Sequence, residues 1–354
     1  RVCYTCVREC PSKAIRIADG QAEVMPARCT GCGNCIRVCS QQAKKVVNTI
    51  ADVVTILGSG TKVAACIAPS FPAAFPGVDF RKIVGMIRMV GFDYVHEVAF
   101  GADLVARQYR RLLQQSYGRR FIATTCPSIV GFVERYHPAL VDSLAPIVSP
   151  MIALARALRV MYGPDVRTVF IGPCIAKQCE AQDENLPGEI SAASTFIGLH
   201  RLFHAKGITP EVAEPSDFDP PYANLGAVFP ITKGMLQAAH IEEDLVEGRV
   251  VSAEGRERFV EALDEFESGA LDAQLLEILA CHGCIMGPGI TTGAPLFSRR
   301  SLVSQYVRQS MPLRDVRLWQ DAMERFADLD LSRRFKSHDQ RDRKSTRLNS
   351  SHVS

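Results

Sequence analysis

Seven cysteines crowd into the first forty residues, in two runs whose spacing leaves few alternatives. The second run, Cys29-x2-Cys32-x2-Cys35-x3-Cys39, is a complete four-cysteine set. The first, Cys3-x2-Cys6-x3-Cys10-Pro11, matches it except for a leading cysteine that would fall immediately before Arg1. The chain is therefore expected to begin one residue inside a motif. Thiolates at these intervals, closed by Cys-Pro, are spaced to hold iron–sulfur clusters. Zinc knuckles also use paired thiols, but rarely as two such runs in tandem. Thirteen cysteines in a chain of 354 residues, in this spacing, fit a disulfide scaffold poorly. Cytoplasmic thiols kept reduced to hold metal are the better reading.

The segment resembles the bacterial two-cluster ferredoxins, in which the last cysteine of each run ligates the other cluster. That rule assigns Cys10, Cys29, Cys32 and Cys35 to one [4Fe–4S] cluster. Cys3, Cys6 and Cys39 then hold a second, with the missing residue as fourth ligand. Ala14–Ile17 and Ala22–Met25 alternate as the arms of a small hairpin. Residues 1–45 are thus expected to form an α+β ferredoxin-like module.

The remainder is large and 47% of the chain is hydrophobic, enough for a real core and more than one domain. A net charge of +3 gives no nucleic-acid or membrane-surface footprint, and no apolar run approaches the roughly 18 residues of a membrane span. Residues 41–60 read as one amphipathic connector helix ended by Gly58-Ser59-Gly60. Strands are expected at Val63–Ala68, Tyr94–Phe100, Phe121–Thr124 and Val166–Ile171, with helices from Asp79, from a turn at Gly101-Ala102-Asp103, and at Met151–Met161. This rhythm predicts an α/β fold of parallel sheets flanked by helices. Ala227–Pro230 reads as a further strand, Glu257–Phe266 as a helix, Leu275–Ala280 as a strand or helix end, and the chain from Ser298 to Phe326 as helical.

Four more cysteines lie in distinctive settings: Cys126 in Thr124-Thr125-Cys126-Pro127, Cys174 in Gly172-Pro173-Cys174, and the pair Cys281-His282-Gly283-Cys284 before Ile285-Met286-Gly287-Pro288-Gly289. Cys126 and Cys174 fall just past the carboxyl ends of predicted strands, where open α/β sheets place ligands. Gly283, Gly287 and Gly289 would let bare backbone approach whatever the centre carries. The four cysteines are expected to converge on one iron–sulfur site between two lobes.

These stretches, with Pro173-Cys174-x2-Lys177-x2-Glu180, Phe132–Pro138, Ser149-Pro150-Met151, Ile67-Ala68-Pro69, Phe92-Asp93 and Phe100–Asp103, resemble the [FeFe]-hydrogenase family, from the ferredoxin segment to about Arg300. The resemblance implies a two-lobed catalytic domain over residues 60–300 and an H-cluster, a [4Fe–4S] cube sharing a thiolate with a two-iron unit that bears CO and cyanide. It also implies that Cys126, Cys174, Cys281 and Cys284 ligate the cube, that Cys284 bridges, and that Lys177 donates to a cyanide with Glu180 orienting it. Pro173 and Met151 would line the cofactor. On spacing alone, Lys177 and Glu180 also fit a solvated i,i+3 pair opening a helix.

Three departures stand against rapid chemistry. Thr125 occupies the place of the family's proton-passing thiol, and a hydroxyl of far higher pKa cannot relay protons on the same footing. Arg107, Gln108, Arg110 and Arg111 stand where the family carries glutamates. Cys281 and Cys284 are two residues apart rather than three, and Pro288 interrupts the glycine run. The expectation is a slow or H2-sensing form, exchanging electrons with a redox partner such as ferredoxin or an attached signalling domain. The alternatives are an ordinary hydrogenase and a non-catalytic iron–sulfur scaffold. Cys66 is expected to be a buried small hydrophobe, His282 an exposed loop residue, and Arg107–Arg111 a solvated face. Residues 301–333 are expected as a helical extension, and 334–354 as a disordered tail, partly non-native in character.

Overall fold

The computed structural model describes residues 3–290 and 293–341. Strands β1 (Ile15–Ala18) and β2 (Gln21–Val24) form an antiparallel hairpin. Its tip, Asp19-Gly20, has positive φ at both residues, the geometry that matches strand twist in a two-residue turn. Short helices at Thr5–Arg8 and Asn34–Arg37 carry cysteines on either side. Among the described residues the buried apolar core of this module is Cys6, Cys10, Ala14 and Ile15. A module of about 40 residues with so little core ordinarily needs metal or docking to persist.

The connector differs from expectation. A helix forms only at Ile50–Leu57, and residues 43–49 have no regular structure. Polar groups there find partners elsewhere: Asn48 Oδ1 accepts from Ile50 N at 3.1 Å, and Thr49 Oγ1 donates to Ala193 O at 2.9 Å. Val47 O accepts from Gln178. One local side-chain bond and two tertiary bonds thus take the place of the first helical turns.

Two parallel sheets follow. The larger has the order β4-β3-β6-β7, from β3 (Val63–Ile67), β4 (Tyr94–Glu97), β6 (Arg167–Gly172) and β7 (Ala192–Thr195). Every residue of β3 is buried, as expected for a central parallel strand covered on both faces. The smaller sheet has the order β5-β9-β8, from β5 (Phe121–Ile122), β8 (Val250–Glu254) and β9 (Leu275–Leu279). Its own apolar core includes Ile129, Val133, Phe259, Leu263, Leu276 and Ile278.

Several predicted elements shift. The strand begun at Tyr94 ends at Glu97, and the helix Val98–Gln115 starts at once. Phe100 is therefore helical rather than strand and Gly101–Asp103 helical rather than a turn, with Gly101 facing the closely packed helix Pro150–Tyr162. Asp103 is a buried anchor: it accepts from Asn224 N at 2.6 Å, Gly226 N at 2.5 Å and Trp319 Nε1 at 3.1 Å. Those bonds hold Leu225–Val228 as a 3-10 turn where the sequence pattern suggested a strand. Phe121–Thr124 keeps strand form only to Ile122.

The helices Leu296–Ser310 and Val316–Arg325 pack on the larger core through Val303, Tyr306, Met323 and Phe326. Arg107 donates to the carbonyls of Met323 and Phe326, so the basic helix face is partly a docking face. Residues 334–341, expected to be disordered, lie against the helix Pro127–Tyr136. His338 N donates to Glu134 O at 2.8 Å and Gln340 N to Arg135 O at 2.9 Å, while Phe335 packs on the smaller core. The rest of the predicted tail, 342–354, lies outside the described residues. Among the described residues no helix is long and apolar enough to cross a membrane.

Candidate metal centre

In the N-terminal module Cys10 comes among Cys29, Cys32 and Cys35, and Cys3 faces Cys39. Backbone N–H groups point at the sulfurs: Ala14 N to Cys10 Sγ at 3.3 Å, Gly31 N to Cys29 Sγ at 3.4 Å and Ala43 N to Cys39 Sγ at 3.3 Å. Such donors favour thiolate over thiol, and they hold the Cys39 thiol below its ordinary range. Among the described residues no group of three His, Cys, Asp or Glu side chains is spaced for a single metal ion.

The second set is assembled from three strand ends. Cys126 follows β5 and caps the helix Pro127–Tyr136, Cys174 follows β6, and Cys281 and Cys284 follow β9. All four are mutually close enough to interact electrostatically. Burial and the neighbouring thiols push Cys174 and Cys284 up to about 12, and Cys281 well above its ordinary value. Deprotonating this set needs a cationic core to offset the repulsion, so the donors fit an iron–sulfur group.

The loops lock together by backbone contact. Gly289 N donates to Pro173 O at 2.7 Å, and Gly287 N to Cys284 O at 2.9 Å. A Cβ at Gly287 would lie 2.5 Å from Pro173 O. The bare backbone expected to face the cofactor is thus taken up by loop–loop packing, and Gly283 likewise sits against Pro230 O. Pro288, the departure inside the glycine run, fits over Gly33, where a Cβ would meet its ring at 2.3 Å. Cys281 Sγ lies 3.8 Å from Cys32 O, bringing the two cysteine sets side by side.

Beside Cys174 and Cys284 is a cavity of about 70 Å³, lined also by Thr125, Met151, Pro173 and Lys177. Lys177 is buried and bonds Glu180 Oε2 at 2.6 Å, so the pair is not a solvated helix opening. Glu180 also accepts from Ser149 Oγ at 3.1 Å and from Arg333 Nη1 at 2.8 Å. Arg333 continues to Asp183 at 2.7 Å. Buried and multiply bonded, this network fixes where the Lys177 ammonium sits.

Three residues of the site escaped the sequence reading. Arg333 comes from the C-terminal segment, where nothing in the sequence connects it to Glu180. Ser70, one residue beyond the quoted Ile67-Ala68-Pro69, lines the cavity, and its buried Oγ has no partner among the described residues. Glu277 also lines the cavity, with Oε2 buried and unpartnered. It stands mid-strand in Leu275-Leu276-Glu277-Ile278-Leu279, whose other face enters the smaller core through Leu276 and Ile278. Burial pushes its carboxyl up to about 8. A lone acid in a buried apolar strand was the available signal.

Cys66 is fully buried, as expected. His282 is partly exposed, 3.7 Å from Glu254.

A parallel-sheet α/β scaffold joined to a two-cluster cysteine module and a four-cysteine pocket defines an iron–sulfur oxidoreductase class of protein. The model for the iron only hydrogenase large subunit, C-terminal domain, matches residues 61–288, and a 4Fe-4S dicluster domain model matches residues 1–40. The chain belongs to the iron-only hydrogenase large-subunit family. It is 29% identical over 203 residues to iron hydrogenase 1 of Clostridium pasteurianum, covering 52% of this chain and 35% of that protein. It is 27% identical over 244 residues to the NADP-reducing hydrogenase subunit HndD of Solidesulfovibrio fructosivorans, covering 60% of this chain and 42% of that one. It is also 24% identical over 200 residues to the cytosolic Fe-S cluster assembly factor NAR1 of Yarrowia lipolytica, covering 48% and 40%. A variant of [FeFe]-hydrogenase HydA1 from Chlamydomonas reinhardtii superposes with a TM-score of 0.66 at 16% identity, covering 83% of this chain and all of that one. The alignments span less than half the length of these curated relatives.

Proposed function

We propose that this chain carries an H-cluster in the four-cysteine pocket and reacts with H2 slowly, as a sensor or low-turnover hydrogenase. Electrons would pass through the two [4Fe–4S] clusters of the N-terminal module to a redox partner such as ferredoxin or a signalling domain. In this reading Cys126, Cys174, Cys281 and Cys284 hold the cube, Cys284 bridges, and the two-iron unit occupies the adjoining cavity. When bound, that unit supplies the metal chemistry of H2 cleavage and formation.

The observation that carries the reading is Lys177. The Lys177 ammonium lines the cavity, bonded to Glu180, a carboxylate that Arg333 shares, and with three N–H donors it can also serve an anionic group in the cavity. Ser70 Oγ offers a second donor into the same space. Low turnover follows from Thr125, which lines the cavity where the family carries a thiol. A hydroxyl cannot take up and release protons near neutral pH as a thiol of pKa about 8.5 can.

The similarity to a cluster assembly factor favours a second reading, a scaffold that keeps the cube and never receives the two-iron unit. Infrared spectra after exposure to the maturation machinery separate the two. Bands of CO and cyanide that shift under H2 support the H-cluster; their absence leaves the scaffold. With bands present, Thr125→Cys is expected to raise H2 turnover by about tenfold or more, the scale of one proton-transfer group. Unchanged turnover would remove the explanation for slowness.

A further inference from the structure

Whatever reacts in the cavity must exchange protons with water, and the family's two provisions for this are both missing here. Thr125 replaces the thiol, and the helix after Asp103 carries no carboxylate before Gln115. We propose that Glu277 is the proton relay of this protein, passing protons between the cavity and a carboxylate-lined pocket reached past Ser252 on the neighbouring strand β8. The proposal rests on the H-cluster reading above.

Three observations place the relay. Glu277 lines the cavity together with Thr125, Lys177 and Cys284, and its Oε2 is buried without a hydrogen-bond partner among the described residues. No hydrogen bond among the described residues joins it to a cysteine. The charged groups that act on it are Glu243, Lys233 and Glu254. All three line an open surface pocket of about 890 Å³, which admits water. Between the two lies Ser252, the register partner of Glu277 on β8. Its backbone N and Oγ both bond Glu243 Oε1, at 2.9 and 3.1 Å. Lys233 bonds the other oxygen, Oε2, at 2.6 Å and so holds Glu243 at the inner wall of the pocket.

The groups facing Glu277 are therefore Glu243, Lys233 and Glu254 from the pocket, Cys284 from the third loop, and Tyr109 from the helix Val98–Gln115. Two nearby carboxylates and a buried setting favour its protonated form at neutral pH, while Lys233 opposes this. A neutral acid that lines the cavity and is acted on by the carboxylates of a water-admitting pocket suits proton transfer in both directions.

The balance is simple. Cleavage of H2 yields two protons and two electrons, and the electrons leave through the cysteine-bound clusters. Glu277 gives its proton toward Glu243 and pocket water, then takes one from the cavity, twice per H2. Evolution reverses the order. Neither direction needs a further reactant.

The test uses Glu277→Gln, which keeps shape and loses the exchangeable carboxyl proton, with Glu277→Asp as the conservative variant. In protein with its N-terminal clusters but without maturation, infrared difference spectra should show a protonated-carboxyl band that fades as pH rises through about 8 and is absent in Glu277→Gln. In matured protein the CO and cyanide bands should be retained in both variants. H2/D2 exchange should fall by about tenfold or more in Glu277→Gln and recover partly in Glu277→Asp. Glu243→Gln should slow exchange with bands unmoved. A missing carboxyl band, or undiminished exchange in Glu277→Gln with CO and cyanide bands intact, overturns the relay alone. If the matured wild type shows no CO or cyanide bands, the H-cluster reading fails and the relay falls with it.

Discussion

The two cysteine-bearing regions reach their geometry by opposite routes. In the N-terminal module seven cysteines lie within 37 residues (3–39), and two short helices with one hairpin suffice to gather them. In the central domain the cysteines stand at 126, 174, 281 and 284, and meet only because two parallel sheets deliver their strand ends to one place. The first region has almost no apolar core and leans on what its thiols hold. The second has two substantial cores and would keep its shape around an empty pocket.

Removing iron should break this contrast most visibly. Chelation under reducing conditions is expected to abolish hydrogen-exchange protection across residues 3–39, while β3, β6 and β9 stay protected. Equal loss in both regions would show that the central domain also folds on its clusters.

Next in size is the ion network. Arg333→Met leaves Glu180 and Asp183 without their shared guanidinium and should cost about 3–5 kcal/mol in denaturant melts. A cost below about 1 kcal/mol would mean that the C-terminal strap is dispensable to the site.

The contact between the regions is sharpened by Gly33→Ala. At φ +71, with Pro288 in the way, a methyl must displace one loop from the other, at about 1–3 kcal/mol. Exchange should rise in residues 29–39 and 281–289 and leave the hairpin β1–β2 unaffected.

The effect of pH is the most gradual, spread over several units. Burial raises Glu277 to about 8 and Asp103 to about 7, above the roughly 4 of an unfolded carboxyl. A raised acid stabilises the fold fully below its unfolded value, and that contribution is lost as pH rises through the folded value. Each group therefore lowers stability by up to about 1.4 kcal/mol per pH unit across this window. Glu277→Gln should flatten the decline of melting temperature between pH 5 and 8; an unchanged slope would place the burden elsewhere. For Asp103, three N–H donors and Arg314 work against the rise, so Asp103→Asn should alter the slope less.

The sequence reading was most complete where function is local. The resemblance to two-cluster ferredoxins grouped Cys10 with Cys29, Cys32 and Cys35, and Pro173 through Glu180 marked a helix opening beside Cys174. It failed where partners are distant. Residues 43–49 read as helix because Val46 and Val47 recur correctly, yet Lys44, Asn48 and Thr49 had other bonds available. Gly101–Asp103 read as a turn because Gly-Ala-Asp is turn-like; its glycine serves helix packing and its aspartate a loop 121 residues away. Lys177 and Glu180 could not be told from a surface pair until Arg333 and Ser149 were seen to enclose them.

By itself the sequence determined the donor atoms: eleven thiols in cluster spacing, a lysine and glutamate three apart, and a threonine where a thiol would serve. These are properties of residue type and interval, which the chain carries before it folds. Only the tertiary structure decided which of those groups are dry, which are paired, and which face a common space. Burial turned Lys177–Glu180 from a helix-surface pair into part of a locked network, and Glu277 from an anomaly in an apolar strand into an acid lining the cavity. Desolvation depends on every element packed around a group, and no interval along the chain records it.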